Sequence, residues 1–271
     1  MGAFSFCTTF NQTGYDKYAR NSLFQFDRSL PEEVNYYAYV QSAVVDLELS
    51  KIRLLDFDAE VNGYKEYKKK YFGKKPQTTK TYQAYEYQHI RFCHKVYAVL
   101  SHFEDRKDDC RYIGWIDADV VPKKPIPLTF FNSLVKEGCF MSLLERQHAH
   151  ADYTYAECGF MIWDTTLDET KEYFKRVREQ YDKGVMFAKY LDIGWHDSII
   201  WDYEMRAMRS SDLAKTYDLS QPSRRAKIQL DEYEVKKHHP FVKGILGEYM
   251  DHLKGERKDI GFSEERLRVW S

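Results

Sequence analysis

Short apolar runs alternate with stretches of helical periodicity along the chain. We predict strands where apolar residues cluster over five to seven positions, at Phe4–Thr9, Val34–Val40, Ile52–Phe57, Tyr112–Ile116, Phe140–Leu144 and Gly159–Trp163. Apolar residues spaced three or four apart from Tyr82 to Phe103 predict an amphipathic helix. A capping-box match at Thr166–Glu169 predicts the start of a second helix, and a third is expected after Trp195. This alternation favours an α/β fold in which helices flank a mixed, mostly parallel sheet.

Composition narrows the class of protein. The 271 residues are 43% hydrophobic, enough for one large core, and we predict a single domain over residues 1–271. The net charge of −1 argues against a protein whose whole surface binds nucleic acid, although a local basic patch at Tyr64–Lys80 remains. The five cysteines form no C-x-x-C pair, so we expect reduced thiols in a cytoplasmic protein. No apolar stretch approaches the roughly 20 residues of a membrane span.

Two carboxylates follow the predicted strand Tyr112–Ile116. Asp117 and Asp119 are separated by one residue, and on extended backbone residues i and i+2 point to the same side. Ligands of α/β proteins bind beyond the carboxyl ends of parallel strands, where this pair is expected to lie. We therefore predict that both aspartates share a hard divalent cation such as Mn²⁺ or Mg²⁺.

Three further segments supply groups that suit a phosphorylated ligand. A polar turn after the first strand carries hydroxyls, an amide and an aromatic ring for a nucleotide base and ribose, at Thr8, Thr9, Asn11 and Tyr15. Lys95 on the long predicted helix offers an ammonium for a phosphate. Near the end, His252, Gly255 and Lys258 form an H-x-x-G-x-x-K pattern. An imidazole can complete a metal site, a glycine lets backbone N–H groups approach an anion, and a lysine neutralises phosphate charge.

These separated motifs, in this order, resemble those of the GT-A glycosyltransferases. Within that fold the chain is similar to the retaining enzymes of glycosyltransferase family 8, such as glycogenin and bacterial lipopolysaccharide galactosyltransferases. The resemblance implies a Rossmann-like GT-A domain, with a segment from about residue 217 to 271 closing over the donor site. It implies a metal held by Asp117, Asp119 and His252, and a nucleotide sugar, most simply a UDP-sugar, as donor.

The resemblance also assigns individual roles. Ala118, Gly159, Gly255 and Lys258 are expected to contact the donor, with Gly159 in a segment that resembles the family strand against the donor sugar. Asp197 and Glu157 are the candidate catalytic residues, which would stabilise the reacting sugar or orient the acceptor. The segment Gly194–Ile200 matches the family D-Q-D pattern only at Asp197, because Trp195 and His196 replace its first two residues. The P-W pair that follows the last lysine in the family is absent.

Three alternatives stay open. A saccharide or glycolipid acceptor follows from the resemblance. The basic segment Tyr64–Lys80, with Arg224 and Arg225, keeps open a nucleic-acid-binding module, which is compatible with transfer to a hydroxymethylated DNA base. A phosphatase of the haloacid-dehalogenase type is the third, because Asp117 to Val121 also fits its D-x-D-x-V pattern. That motif normally closes an early strand, whereas this pair lies well into the chain. Oligomeric state is not predicted.

Overall fold

The computed structural model describes residues 3–75, 88–147, 154–190, 194–211, 213–220 and 244–253. Its nine strands within those ranges are β1 Phe4–Asn11, β2 Val34–Gln41, β3 Ile52–Asp56, β4 Tyr112–Ile116, β5 Val120–Pro122, β6 Met141–Gln147, β7 Thr154–Asp164, β8 Thr216–Asp218 and β9 Met250–His252. The α-helices are α1 Gln12–Gly14, α2 Arg20–Ser29, α3 Phe57–Glu60, α4 Tyr64–Tyr71, α5 His89–Arg106, α6 Leu128–Ser133, α7 Asp168–Asp182, α8 Met186–Lys189 and α9 Asp197–Ser210. A π-helical turn, Tyr15–Ala19, joins α1 to α2, and a 3₁₀ turn, Ile245–Glu248, precedes β9.

Seven strands form one mixed sheet in the order β3-β2-β1-β4-β7-β6-β8. All neighbouring pairs are parallel except those that β7 makes with β4 and β6. The carboxyl ends of β1, β2 and β4 therefore lie at the same edge as the amino-terminal half of β7. This edge carries the candidate site. The predicted α/β class with a mostly parallel sheet is confirmed.

The core lies on both faces of this sheet. Tyr37 and Tyr39 belong to one apolar cluster, which is covered by α5, α7 and α9, while Tyr36 and Ala38 belong to the other, next to α2. Neighbouring residues of one strand are thus buried on opposite sides, which is why the strands read as continuous apolar runs. Burial of each large side chain contributes roughly 1.5–3 kcal/mol relative to exposure.

All six predicted strands are present. Helix α5 begins at His89, and Tyr82 and Tyr85 of the predicted stripe lie outside the described residues. The capping-box prediction was wrong by one residue, because Leu167 is the N-cap of α7 and no side chain caps it. Thr166 instead donates both its N–H and its hydroxyl to Asp164 Oδ1, at 3.0 and 2.6 Å. Thr166 thus makes a local side-chain turn with Asp164 and does not cap α7.

The C-terminal part of the chain is described only in two pieces. β8 extends the main sheet beside β6, and β9 forms a separate two-stranded sheet with β5. Closure of residues 217–271 over a donor, and a single domain over 1–271, both stay predictions. No helix in the described ranges is long and apolar enough to cross a lipid bilayer. All five cysteines are free thiols.

Candidate active site

A tight turn at the end of β4 holds the two aspartates. The Val120 N–H donates to the Asp117 carbonyl at 2.9 Å, and the Asp117 N–H donates to the Gly159 carbonyl of β7 at 2.8 Å. The expectation that both carboxylates project from extended backbone is therefore wrong. The turn still directs them toward one place, because each lies within hydrogen-bond or ion-pair range of His252.

His252 reaches the aspartates through the short sheet of β5 and β9. Val120 pairs with His252 in antiparallel register, and the Leu253 N–H donates to the Asp119 carbonyl at 2.9 Å. The imidazole Nε2 lies 2.9 Å from Asp119 Oδ1 and 3.4 Å from Asp117 Oδ2. The ring is fully buried, and one ligand atom from each of these three residues lies within 4.8 Å of the others. Residues 133 positions apart are thus brought together.

Gly159 makes room for the imidazole. A Cβ atom at this position would lie 2.4 Å from His252 Cε1 and 2.6 Å from Nδ1, far inside van der Waals contact. The sequence placed Gly159 against the donor sugar. The structure gives it a packing reason, since only glycine lets a buried ring approach β7 this closely.

Lys95 joins Asp117 to helix α9. Its ammonium lies 3.1 Å from Asp117 Oδ1 and 3.0 Å from Asp197 Oδ2, and it also donates to the Cys158 carbonyl. Burial alone would lower the pKa of Lys95, but the two carboxylates outweigh burial and raise the pKa above its usual value. From the sequence we expected this ammonium to contact a phosphate. In the structure it holds two carboxylates in place.

The two oxygens of Asp117 face different partners. Oδ1 accepts from the indole N–H of Trp115 at 2.6 Å and from Lys95 at 3.1 Å. Oδ2 is the oxygen on the side of His252. Donors on one oxygen fix the orientation of a carboxylate and leave the other for a cation, as in the outer shell of protein metal sites.

The two candidate catalytic carboxylates line the same cavity as Asp117 and Asp119. Asp197 is the first residue of α9, where the helix dipole favours a negative charge. Glu157 lies on β7 with Oε1 3.9 Å from His252 Nδ1. Both side chains are buried. The cavity measures about 770 Å³, which is within the range of small-molecule sites.

The polar turn after β1 is only partly at the cavity. Thr9 and Asn11 line it, and Asn11 Oδ1 also accepts from the Gly14 N–H at 2.9 Å as a helix cap. Thr8 is fully buried and does not line the cavity. Tyr15 is buried against Phe10 and donates its hydroxyl to Asp46.

Sequence analysis missed several lining residues. They are polar or basic side chains on elements that converge only in the fold: Lys17, Tyr18, Gln41, Arg91, His94, His196 and Ser198. Tyr18 had a usable signal, since it lies three residues after Tyr15 on the same helical stretch. Ala118 lines the cavity beside the aspartates. Gly255 and Lys258 lie outside the described residues.

Comparison with known proteins places the fold. No protein-family model and no curated protein matches the chain. Among solved structures, mouse xyloside xylosyltransferase 1 in its apo form matches 80% of this chain and 86% of its own, with a TM-score of 0.51 and 11% identity. An active-site mutant of LgtC matches 98% of this chain and 94% of its own, with a TM-score of 0.53 and 12% identity. Identities this low bear on the fold alone, and the chain has the GT-A glycosyltransferase fold that the resemblance predicted.

Proposed function

We propose that the protein is a metal-dependent glycosyltransferase that moves a sugar from a nucleotide sugar to an acceptor hydroxyl. The observation that carries the proposal is the convergence of Asp117, Asp119 and His252 at the binding edge of a GT-A sheet. A cavity of about 770 Å³ opens beside them. The two solved structures that share this fold are glycosyltransferases, which supports the same proposal.

The residues fit a hard divalent cation. Two carboxylates and one imidazole supply oxygen and nitrogen ligands, and Mn²⁺ or Mg²⁺ accepts such a set with positions left for phosphate oxygens. The space beside Gly159 and the donors on Asp117 Oδ1 hold the ligands in place. When bound, such a cation supplies positive charge that neutralises a diphosphate leaving group.

The chemistry proposed for this cavity is a substitution at the sugar carbon. The bond from that carbon to the diphosphate oxygen breaks, and its electron pair leaves with the nucleotide diphosphate. A bond from the carbon to the acceptor oxygen forms, and the acceptor proton is released. Glu157 and Asp197 place negative charge beside the cavity, which favours the oxocarbenium-like charge of the transition state. Use of a UDP-sugar and retention of configuration are proposed on the family resemblance.

The donor half of this proposal is independent of the acceptor. A saccharide or glycolipid and a hydroxylated DNA base both present a hydroxyl to the same sugar carbon. Nothing in the described part of the chain favours the phosphatase alternative over the transferase. Asp117, which would be its nucleophile, has one carboxylate oxygen held by Trp115 and Lys95 and the other beside His252.

A screen of nucleotide sugars with Mn²⁺, read out as donor hydrolysis, tests the proposal. We expect turnover of at least one donor, and loss of that turnover in the double variant Asp117→Asn, Asp119→Asn. Asparagine keeps the size of both side chains, so circular dichroism should show an unchanged fold. Near-normal turnover in the double variant would remove the metal role, and phosphate release from a generic ester without any donor turnover would favour the phosphatase.

A further inference from the structure

Helix α4 presents a basic face to solvent. Tyr64 and Tyr67 are buried on its inner side, and the segment from residue 64 to 75 contains one glutamate and six lysines. The lysines are all exposed: Lys65, Lys68, Lys69, Lys70, Lys74 and Lys75. We call these six the α4 basic face. Tyr64 and Tyr67 are three residues apart and therefore share the inner side of α4, so Lys65, Lys68, Lys69 and Lys70 face solvent.

The ammonium groups of the α4 basic face are not neutralised by carboxylates. Among the described residues none of the six forms an ion pair, and Lys70 donates instead to the main-chain carbonyl of Asp182 at 3.0 Å. Seven surface lysines elsewhere in the described residues form ion pairs with acids: Lys51, Lys107, Lys124, Lys171, Lys175, Lys183 and Lys189. Six lysines against the single acid Glu66 leave an excess of positive charge on this segment, and such an excess lowers stability by self-repulsion and favours an anionic partner.

Helix α4 contacts α5, the helix that lines part of the cavity. The Lys68 ammonium lies 5.7 Å from the centre of the Tyr64 ring, and that ring lies 4.5 Å from the imidazole of His94. His94 and the exposed Arg91, both on α5, line the cavity. Arg91 therefore places a positive charge at the cavity on the helix that α4 contacts, whereas burial lowers the pKa of His94 and favours its neutral form.

One large aromatic side chain lies among these lysines. Phe72 directly follows α4 and is 75% exposed, in a chain where most phenylalanines are buried. An exposed ring beside phosphate-binding lysines is the combination that binds single-stranded nucleic acids, because a base can stack on the ring. The same ring could also insert among lipid head groups. A flat membrane contacts an outer face only, whereas a flexible single strand bound along α4 can also reach the cavity that α5 lines.

We propose that the α4 basic face binds the phosphodiester backbone of a nucleic acid strand, and that this strand carries the acceptor hydroxyl. The acceptor part rests on the proposed glycosyltransferase function, whereas the binding part does not. Six lysines on six phosphates give an affinity for a single strand that falls with salt at a logarithmic slope of about −4. A duplex would give a slope nearer −5, and single-stranded DNA, duplex DNA and RNA form separate arms of the test.

The test compares two triple variants of the full chain. Lys65→Gln, Lys68→Gln, Lys69→Gln removes three charges from the α4 basic face without disturbing the Lys70 contact. Lys107→Gln, Lys171→Gln, Lys175→Gln removes the same charge from paired surface lysines. Fluorescence anisotropy with labelled oligonucleotides should show a slope smaller by about 2 and an affinity on the order of 100-fold lower at 0.1 M salt for the first variant only. Equal losses in both variants, or no oligonucleotide binding by the wild type, would overturn the proposal.

Variants of Phe72 distinguish a nucleic acid partner from a membrane partner. Phe72→Leu keeps an apolar side chain but removes the stacking ring. We expect Phe72→Leu and Phe72→Ala each to weaken oligonucleotide binding by roughly 5- to 100-fold. Binding to phosphatidylserine vesicles that survives Phe72→Leu, without oligonucleotide binding, would overturn the proposal and indicate a membrane surface.

Donor hydrolysis in the same preparations keeps the two proposals apart. Hydrolysis without oligonucleotide binding would leave the transferase standing and overturn the docking surface. Oligonucleotide binding that depends on the α4 basic face, without turnover of any donor, would support the surface and count against the transferase. With both present, the first triple variant should raise the KM for an oligonucleotide acceptor and leave donor hydrolysis unchanged.

Discussion

Replacing Gly159 by alanine places a methyl group where the imidazole of His252 now lies. The added Cβ would be 2.4 Å from Cε1, about 1 Å closer than an ordinary contact. His252 is fully buried, so its ring has little room to retreat except away from the aspartates. Gly159 is not among the glycines with positive φ, and alanine adopts its backbone conformation without strain. The substitution therefore acts mainly on the imidazole, and the same Cβ would also lie 3.3 Å from Glu157 Oε1.

The expected cost has two parts. Overpacking of a tight site costs about 1–3 kcal/mol of unfolding free energy. Loss of an outer-shell partner weakens a metal site about 10- to 100-fold, and we expect a displaced but retained imidazole to cost a similar factor. With Mn²⁺ at 100 times its dissociation constant, the wild type gains about 2.7 kcal/mol of stability, and the variant at that concentration gains only about 0.4–1.4 kcal/mol. For a domain of this size the difference corresponds to several degrees in the Mn²⁺-induced shift of Tm.

Calorimetric titration with Mn²⁺ and thermal unfolding with and without Mn²⁺ measure both parts. The control is Gly138→Ala, whose Cβ meets nothing within 4 Å and whose cost comes only from its φ of +72°. This control should lose stability without losing Mn²⁺ affinity. In a double-mutant cycle with His252→Ala, the overpacking cost of Gly159→Ala should vanish, because the clashing ring is gone. Additive costs in that cycle, or unchanged Mn²⁺ affinity in the single variant, would refute the role assigned to Gly159.

Two further predictions concern buried titratable groups. Lys95→Met leaves the carboxylates of Asp117 and Asp197 without their shared ammonium, and we expect a loss of about 3–5 kcal/mol in urea unfolding at pH 7. Because the folded-state pKa of Lys95 is raised, its contribution is fully present below the unfolded pKa near 10.4, so the loss should be constant from pH 7 to 9. A loss that disappears at pH 9 would contradict this pairing. For His102, burial lowers the pKa to about 3, so its contribution is present above the unfolded pKa near 6.5 and is lost as pH falls toward 3. Between pH 6 and 4 the wild type should lose about 1.4 kcal/mol per pH unit more than His102→Gln, and equal slopes would show that His102 is charged in the folded protein.

The elements that sequence predicted well are those with their own local signal. Strands β1, β2 and β4 are buried on both faces, so apolar runs mark them without knowledge of their neighbours. β5, β8 and β9 have three residues each and exist only through pairing with distant segments. Such strands carry too few residues for a periodicity.

The sequence indicated which residue types form the candidate site but not how their side chains are arranged. The spacing of Asp117 and Asp119 indicated a metal pair, but the backbone between them forms a turn, closed by a hydrogen bond that depends on where β5 begins. Lys95 was expected to meet a phosphate, whereas in the structure it pairs with Asp117 and with Asp197, which lies 102 positions further along the chain. Long-range ion pairs leave no local pattern, so the choice between phosphate and carboxylate as the partner of Lys95 needed coordinates.

The charges of the carboxylates around the cavity link metal binding to donor binding. Four buried or half-buried carboxylates surround the cavity beside β4, those of Asp117, Asp119, Glu157 and Asp197, and Lys95 is the one lysine among the described residues that pairs with two of them. The Lys95 ammonium compensates part of this excess of negative charge through Asp117 and Asp197, and a divalent cation beside Asp117, Asp119 and His252 would compensate more of it. Close like charges of this kind are costly in a low-dielectric site unless a cation compensates them. The same excess would repel a diphosphate, so the carboxylates favour donor binding only when the cation is present. Metal and nucleotide sugar should therefore bind cooperatively, each raising the affinity for the other by the same factor.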